Sequence, residues 1–366
     1  MSSLKSEAEK QTQSRSLAKV EILGLVLVIA SMLGLLFIPE TVAGVFNAMV
    51  DGAFRSFQNF IFEGKVGIAI IVSVIIGRVL ERLGFTDALI RIFVPVMKHL
   101  GINSAVIIPP IYNIIGDSNA AGRIAGPILS KAKATKDEQK IAVATTVQSQ
   151  QTLATFMLGL AAMAMVGINI FPVIVLVIFV PVILTPLLLR FTIYRDTKKV
   201  ELEELPKFTP NTPALTTIFG AAKEGAELVF LLVVPAGAVV LGLIGGLEYL
   251  GIWGPINAWI TNLMGAISVH PETGIMAIMV SPTLAIGMLV STLQEAAVEP
   301  RLVLGAFVVI CSCFPLQIIF GQIPAIWGQV TDLTEAEAMK AAIVGSIIRL
   351  VTAGLVAGFL APLFIK

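Results

Sequence analysis

The sequence predicts an all-α, polytopic membrane protein. Two inverted repeats, each with a re-entrant helical hairpin and three spans, follow one peripheral N-terminal span. Three observations predict this. Of 366 residues, 56% are hydrophobic and 13% charged, against roughly 25% charged residues in a soluble domain. Apolar runs at 22–39, 170–189 and 341–364 approach the ~20 residues that cross a ~30 Å hydrocarbon core. Lipid offers backbone groups no partners, so such spans are helices. Finally, Leu80-Glu81-Arg82-Leu83-Gly84 and Leu247-Glu248-Tyr249-Leu250-Gly251, 167 residues apart, each close an apolar run. Each precedes a Pro- and Gly-interrupted pair of segments too short for two ordinary spans, the pattern of a secondary transporter with its site at a repeat interface.

Charge sets the direction of each element. Lys5, Lys10, Arg15 and Lys19 place the tail, residues 1–19, in the cytoplasm by the positive-inside bias. Residues 20–62 hold the first span and then a mixed stretch, in which Asp51, Arg55, Gln58 and Asn59 sit among Val, Phe and Ile. That mixture predicts a helix lying in the outer interface. With no evident role in a monomer, it predicts a homo-oligomer.

The first repeat, 63–190, returns to the cytoplasm over 66–77. Arms at 104–115 and 120–129 flank Gly116-Asp117-Ser118-Asn119, and Lys131, Lys133, Lys136 and Lys140 follow at once. Both feet of this hairpin are therefore cytoplasmic. Spans over 141–166 and 170–189 complete the repeat. Residues 191–223 read as a charged cytoplasmic linker punctuated by Pro206, Pro210 and Pro213.

The second repeat, 224–366, has no Lys or Arg between Glu224 and Pro300, so its hairpin enters from outside. Its arms are expected at 275–284 and 286–293. A span over 302–323 and a last span over 341–364 close the chain.

Asp117 is the sharpest candidate for chemistry. An ionisable group at membrane depth costs roughly 2.5–3.5 kcal/mol on insertion scales and marks a functional site by default. The alternative is that Asp117 caps the second arm, since Asp, Ser and Asn favour N-caps. Ser118 and Asn119 add donors and acceptors beside it. Arg123 is placed to pair with Asp117 or to meet an anionic substrate; a structural pair is the other reading. Along 141–166, Thr145, Gln148, Gln151, Thr152 and Thr155 share one face of a continuous helix. That face is a substrate or ion surface, or else interhelical hydrogen bonding. Thr292, Gln294 and Glu295 correspond to the Asp117 cluster, unless Glu295 stands at the outer interface. Arg349, the one charge in the last span, reads as a snorkelling or paired residue.

No metal-ligand spacing, phosphate loop, nucleotide fingerprint or nucleophile elbow occurs, so neither a cofactor nor an enzymatic activity is expected. No basic tract suggests nucleic acid.

The stretch from about Val66 to Met163 resembles a nucleoside recognition (Gate) domain. The likeness is carried by Leu80-Glu81-Arg82-Leu83-Gly84, by Pro109-Pro110 running into Gly116-Asp117-Ser118-Asn119, by Gly126-Pro127 and by Val147-Gln148-Ser149-Gln150. A weaker copy covers about Leu228 to Trp327. Similar domains occur in concentrative nucleoside transporters, ferrous iron transporters and spore maturation membrane proteins. The resemblance implies transport, with hairpins flanking a midplane site.

The expected function is thus secondary transport of a small polar solute across a bacterial cytoplasmic membrane, with a nucleoside-like solute implied by the resemblance. Asp117 and Glu295 would take the coupling H+ or Na+. A passive pore and a non-transporting scaffold of envelope or spore assembly are the competing readings.

Overall fold

The structure is a computed structural model and describes residues 19–58, 66–114, 118–149, 153–200, 202, 204–279, 281–312 and 315–365. Its secondary structure is helical, apart from one isolated bridge between Ile168 and Ile365. Helices α1 (Lys19–Phe37) and α2 (Pro39–Gln58) precede α3 (Val66–Arg82) and α4 (Phe85–His99). The first hairpin is a 3-10 turn at Ser104–Ile107, α5 (Ile108–Asn113) and α6 (Ser118–Lys131). Next come α7 (Lys136–Gln148), α8 (Leu153–Met165) and the long α9 (Ile170–Thr192).

The second half follows. It runs α10 (Ala214–Tyr249), α11 (Trp253–Ala266), the hairpin α12 (Pro271–Met279) and α13 (Pro282–Glu295), then α14 (Pro300–Ile310), α15 (Ile323–Val330) and α16 (Glu335–Phe364). Gly84 closes α3 at φ 82° and Gly251 closes α10 at φ 71°, a left-handed turn that glycine adopts without steric cost. Both belong to the Leu-Glu-x-Leu-Gly match. Gly101 (φ 67°) and Ser268 (φ 56°), again 167 apart, turn the chain into the two hairpins.

Packing exchanges between the halves. The second arm of the first hairpin, α6, packs on α15, and the second arm of the second hairpin, α13, packs on α8. The hairpins enter from opposite ends of the bundle. At one end, the N-termini of α7 and α16 stand side by side, with Lys136 and Lys140 Nζ 3.5 and 3.6 Å from Glu337. The segment after α9 is pinned across that end: Asp87 accepts from the N–H groups of Phe208 (2.8 Å) and Thr209 (3.1 Å). Buried Glu138 accepts from Lys198 N–H (2.7 Å) and Asn103 N–H (3.1 Å). At the other end, Asn169 N–H donates to Phe364 O (2.7 Å) and His270 N–H to Leu302 O.

Among the described residues, four helices are apolar and long enough to cross a membrane: 20–37, 170–192, 214–249 and 335–364. Several expectations change. The helix α10 starts at Ala214, inside the expected linker 191–223, because the extended segment ends at Pro213, which stands at its N-cap (φ −57°, ψ 144°).

The expected interfacial helix is also different. Helix α2 runs antiparallel along α10, with Gly44 beside Tyr249 and Gly52 beside Leu241. A Cβ on Gly245 would stand 2.3 Å from Ala48 O, and one on Gly52 2.2 Å from Leu241 O. Small residues at four-residue spacing (Gly44, Ala48, Gly52) let two backbones approach this closely. This helix therefore has a role within one chain, and the ground for expecting an oligomer falls with that.

The spans expected at 141–166 and 302–323 are each broken, into α7/α8 and α14/α15. These breaks organise the site.

Candidate functional site

Each break begins where polar residues interrupt an apolar helix. The first α-helical segment, α7, opens with a capping box between Thr135 and Glu138 and ends at Ser149, which is extended (φ −78°, ψ 157°). Ser149 Oγ donates to Thr146 O at 2.8 Å. The second break repeats the device: Ser312 Oγ donates to Val309 O at 2.5 Å. In both, a serine hydroxyl takes a carbonyl three residues back as the chain leaves the helix, competing with the regular ladder.

Side chains tie the hairpins to the first break and to the helix that follows it. From the first hairpin, Asn113 Nδ2 donates to Ser149 Oγ at 2.9 Å. The hydroxyls of Thr155, in the first turn of α8, and Thr283, in the first turn of α13, are 2.8 Å apart. Asn113, Ser149, Thr155 and Thr283 are all buried. Gln148 is fully buried; its Nε2 donates to Gly345 O (2.7 Å) and Ala144 O (3.3 Å), while its Oε1 has no protein partner. Half-helix ends of both signs thus gather at mid-bundle. The C-terminal ends of α5 and α7 suit a cation, and the N-terminal ends of α6 and α8 suit an anion or a polar acceptor.

The expected site residues distribute unevenly over this arrangement. Asp117, Gln151 and Thr152 lie outside the described residues. Ser118 and Asn119 open α6 in backbone. Arg123 is exposed on α6 and has no ion pair or hydrogen bond with the described residues. It stands eight residues, about 12 Å of helix, in from the Lys131 end.

Of the expected polar face, Gln151 and Thr152 lie outside the described residues, and Thr145 and Gln148 on α7 do not share one continuous helix with Thr155 on α8. The break at Ser149 ends the common helical phase, and Thr145 Oγ1 bonds back to Ile141 O at 2.7 Å. The correspondence of Thr292, Gln294 and Glu295 with the Asp117 cluster also fails. The second hairpin turns between Met279, the end of α12, and Pro282, the start of α13, so these residues occupy the last turn of α13, about 16 Å of helix from that turn. Thr292 Oγ1 bonds back to Met288 O at 3.0 Å. The tip instead carries Ser281, Pro282 and Thr283.

Sequence reasoning missed Asn113 and Thr283. Pro282 directly after Ser281 is a helix-start signal, Pro at N1 behind a capping residue type, and it locates the second tip. Ser149-Gln150-Gln151-Thr152, four polar residues inside an apolar run, is the matching signal for the first break.

Arg349 is the largest correction. It is completely buried, so it does not snorkel. Its Nε donates to Val308 O (2.7 Å), Nη1 to Val177 O (2.6 Å) and Nη2 to Cys311 O (2.5 Å). Cys311, beside it at the second break, is a buried free thiol.

No protein-family model matches this sequence, and no curated protein matches it. Solved structures do. The concentrative nucleoside transporter CNTnw in an inward-facing, substrate-bound state matches with a TM-score of 0.59 and 17% identity, over 94% of this chain and 88% of that one. A CNTnw variant in an outward-facing state matches at 0.58 and 16%, over 94% and 86%. Another, in an intermediate state, matches at 0.59 and 17%, over 91% and 86%. At these identities the likeness is one of fold: along nearly its whole length, the chain has the fold seen in CNTnw in its outward-facing, intermediate and inward-facing states.

Proposed function

We propose that this chain is a secondary transporter that moves a small polar solute, nucleoside-like in chemistry, by alternating access coupled to H+ or Na+. One observation carries the reading: two hairpins that enter from opposite ends are hydrogen-bonded, through Asn113–Ser149 and Thr155–Thr283, to the first helix break and the helix that follows it. A fold shared with a transporter captured in three access states supports it.

In this reading residues 63–190 and 224–366 are inverted repeats of a gate-like domain, oriented by the cationic end holding Lys136 and Lys140. The N-terminal tail is then cytoplasmic. The solute occupies the space between the hairpin tips. Asp117, Ser118 and Asn119 meet it from the first hairpin, Gln148, Gln151 and Thr152 from the first break, and Ser281 and Thr283 from the second hairpin. Exposed, unpaired Arg123 marks a wet path from the cationic end, since a lipid-facing arginine at that depth is costly. Thr292, Gln294 and Glu295 stand at the foot of the second hairpin, where solute enters or leaves.

Thermal stability of the purified protein against nucleosides, nucleobases, amino acids and divalent cations, with and without sodium and at two pH values, tests this. A ligand at 100 times its Kd stabilises by ~2.7 kcal/mol. A stabilising solute whose effect disappears in Asp117→Asn supports the site. A silent panel, with the variant as stable as the parent, refutes it and favours the scaffold reading.

A further inference from the structure

We infer that Arg349 is a tethered cation that permanently fills the cation-binding end of the second broken helix. The carbonyls it takes are ones the backbone has released. At the end of α14, Cys311 N–H still bonds Phe307 O, but Ser312 N–H turns to Ile310 O at 2.8 Å. Val308 O therefore loses its usual partner, and Cys311 O lies beyond the last helical bond. Val177 belongs to a widened turn of α9, Val175–Phe179, where carbonyls leave the regular ladder. A helix C-terminus carries roughly −0.5 of an elementary charge. A guanidinium brings a full positive charge, five donors in one plane, and no route to deprotonation.

The two breaks are therefore unequal. One turn before Arg349 on the same helix, Gly345 O meets Gln148 at the first break, where a buried acceptor, Gln148 Oε1, has no protein partner. At the second break the acceptors Val308 O and Cys311 O are already taken. This consequence for coupling rests on the transport reading: a mobile coupling cation is excluded from the C-terminal end of α14. Arg349 is then a positioning residue that makes α9, α14 and α16 one moving body.

Chemical rescue tests the assignment independently of transport. Arg349→Ala should lower the thermal midpoint of the purified protein by about 5–10 °C. Methylguanidinium at ~10–20 mM should restore at least half of that loss, with no effect on the parent. Tetramethylammonium at equal ionic strength should restore none. Arg349→Lys should be more stable than Arg349→Met. Should Arg349→Ala fail to fold, the Lys and Met variants decide: a Lys variant that purifies where the Met variant does not supports the inference, and equal behaviour of the two overturns it. Equal rescue by tetramethylammonium, or a Met variant as stable as the parent, also overturns it. Absence of solute uptake by the parent would refute the transport reading while leaving the rescue intact.

Discussion

The close seating of the first hairpin on α15 makes a quantitative prediction. A Cβ added at Gly126 would stand 2.0 Å from Val330 O and 2.7 Å from Val330 Cβ. Ordinary contact begins near 3.4 Å, so α6 must retreat by roughly 1.4 Å. Its other close approach, Gly122 against Ile326 and Trp327, resists that motion. Overpacking of this kind costs about 1–3 kcal/mol, set against up to ~1 kcal/mol gained by replacing a helical glycine with alanine.

Gly220→Ala is the control, because nothing lies within 4 Å of its added Cβ and only the gain remains. At roughly 2–4 °C per kcal/mol, Gly220→Ala should raise the thermal midpoint by up to ~4 °C, and Gly126→Ala should fall below that control by about 2–12 °C. Solute uptake should fall in the Gly126 variant and not in the control. A Gly126→Ala protein as stable as the Gly220→Ala control would show that α6 does not seat on α15, and the exchange of hairpins between halves would fail with it.

Other outcomes follow from single contacts. Thr155→Val or Thr283→Val alone leaves a buried hydroxyl without this partner and should cost about 1–3 kcal/mol; the double variant should cost less than the sum of the two, as read by a double-mutant cycle of thermal stability. Burial raises the Asp87 carboxyl, but hydrogen bonds from Thr209 Oγ1 and from the N–H groups of Phe208 and Thr209 outweigh it, leaving its pKa below the ordinary 3.8. A depressed carboxyl holds its partners fully above its unfolded pKa and releases them as pH falls through the folded one. Protease cutting in the segment after α9 should therefore accelerate below about pH 3.8, and Asp87→Asn should show the same acceleration at pH 7. Asn113→Ala and Ser149→Ala should each reduce solute uptake at least ~10-fold, since ~1.4 kcal/mol lost at the site is already that factor, with folding retained by circular dichroism.

Much of the fold is legible in the sequence because the bilayer imposes it. The stretches at 104–129 and 275–293, interrupted by Pro and Gly, read as arms too short for ordinary spans, and short helices stand there. Breaks are harder to read. Hydropathy sums over 141–166 and 302–323 as over any span, and helix continuity is decided by whether Ser149 or Ser312 captures a carbonyl, a choice made by tertiary contacts from Asn113 and Arg349. Arg349 itself is illegible: snorkelling and full burial look identical in one residue of an apolar run, and only the released carbonyls of α14 and α9 distinguish them. For α2, composition suggested an interfacial helix, whereas the four-residue spacing of Gly44, Ala48 and Gly52 is a packing signal. Where local propensity and tertiary structure disagree, at Ser149 and at Cys311–Ser312, the candidate site begins.

The central claim is that one solute site is served alternately by two hairpins. Counterflow in proteoliposomes tests it most directly: internal unlabelled solute, chosen from the stability panel, should drive accumulation of trace labelled solute outside-to-inside with saturation. The account predicts a transient overshoot in the parent that is lost in Asp117→Asn and in Ser149→Ala. Equilibration without overshoot, unaffected by either substitution, would contradict alternating access and leave a passive pore.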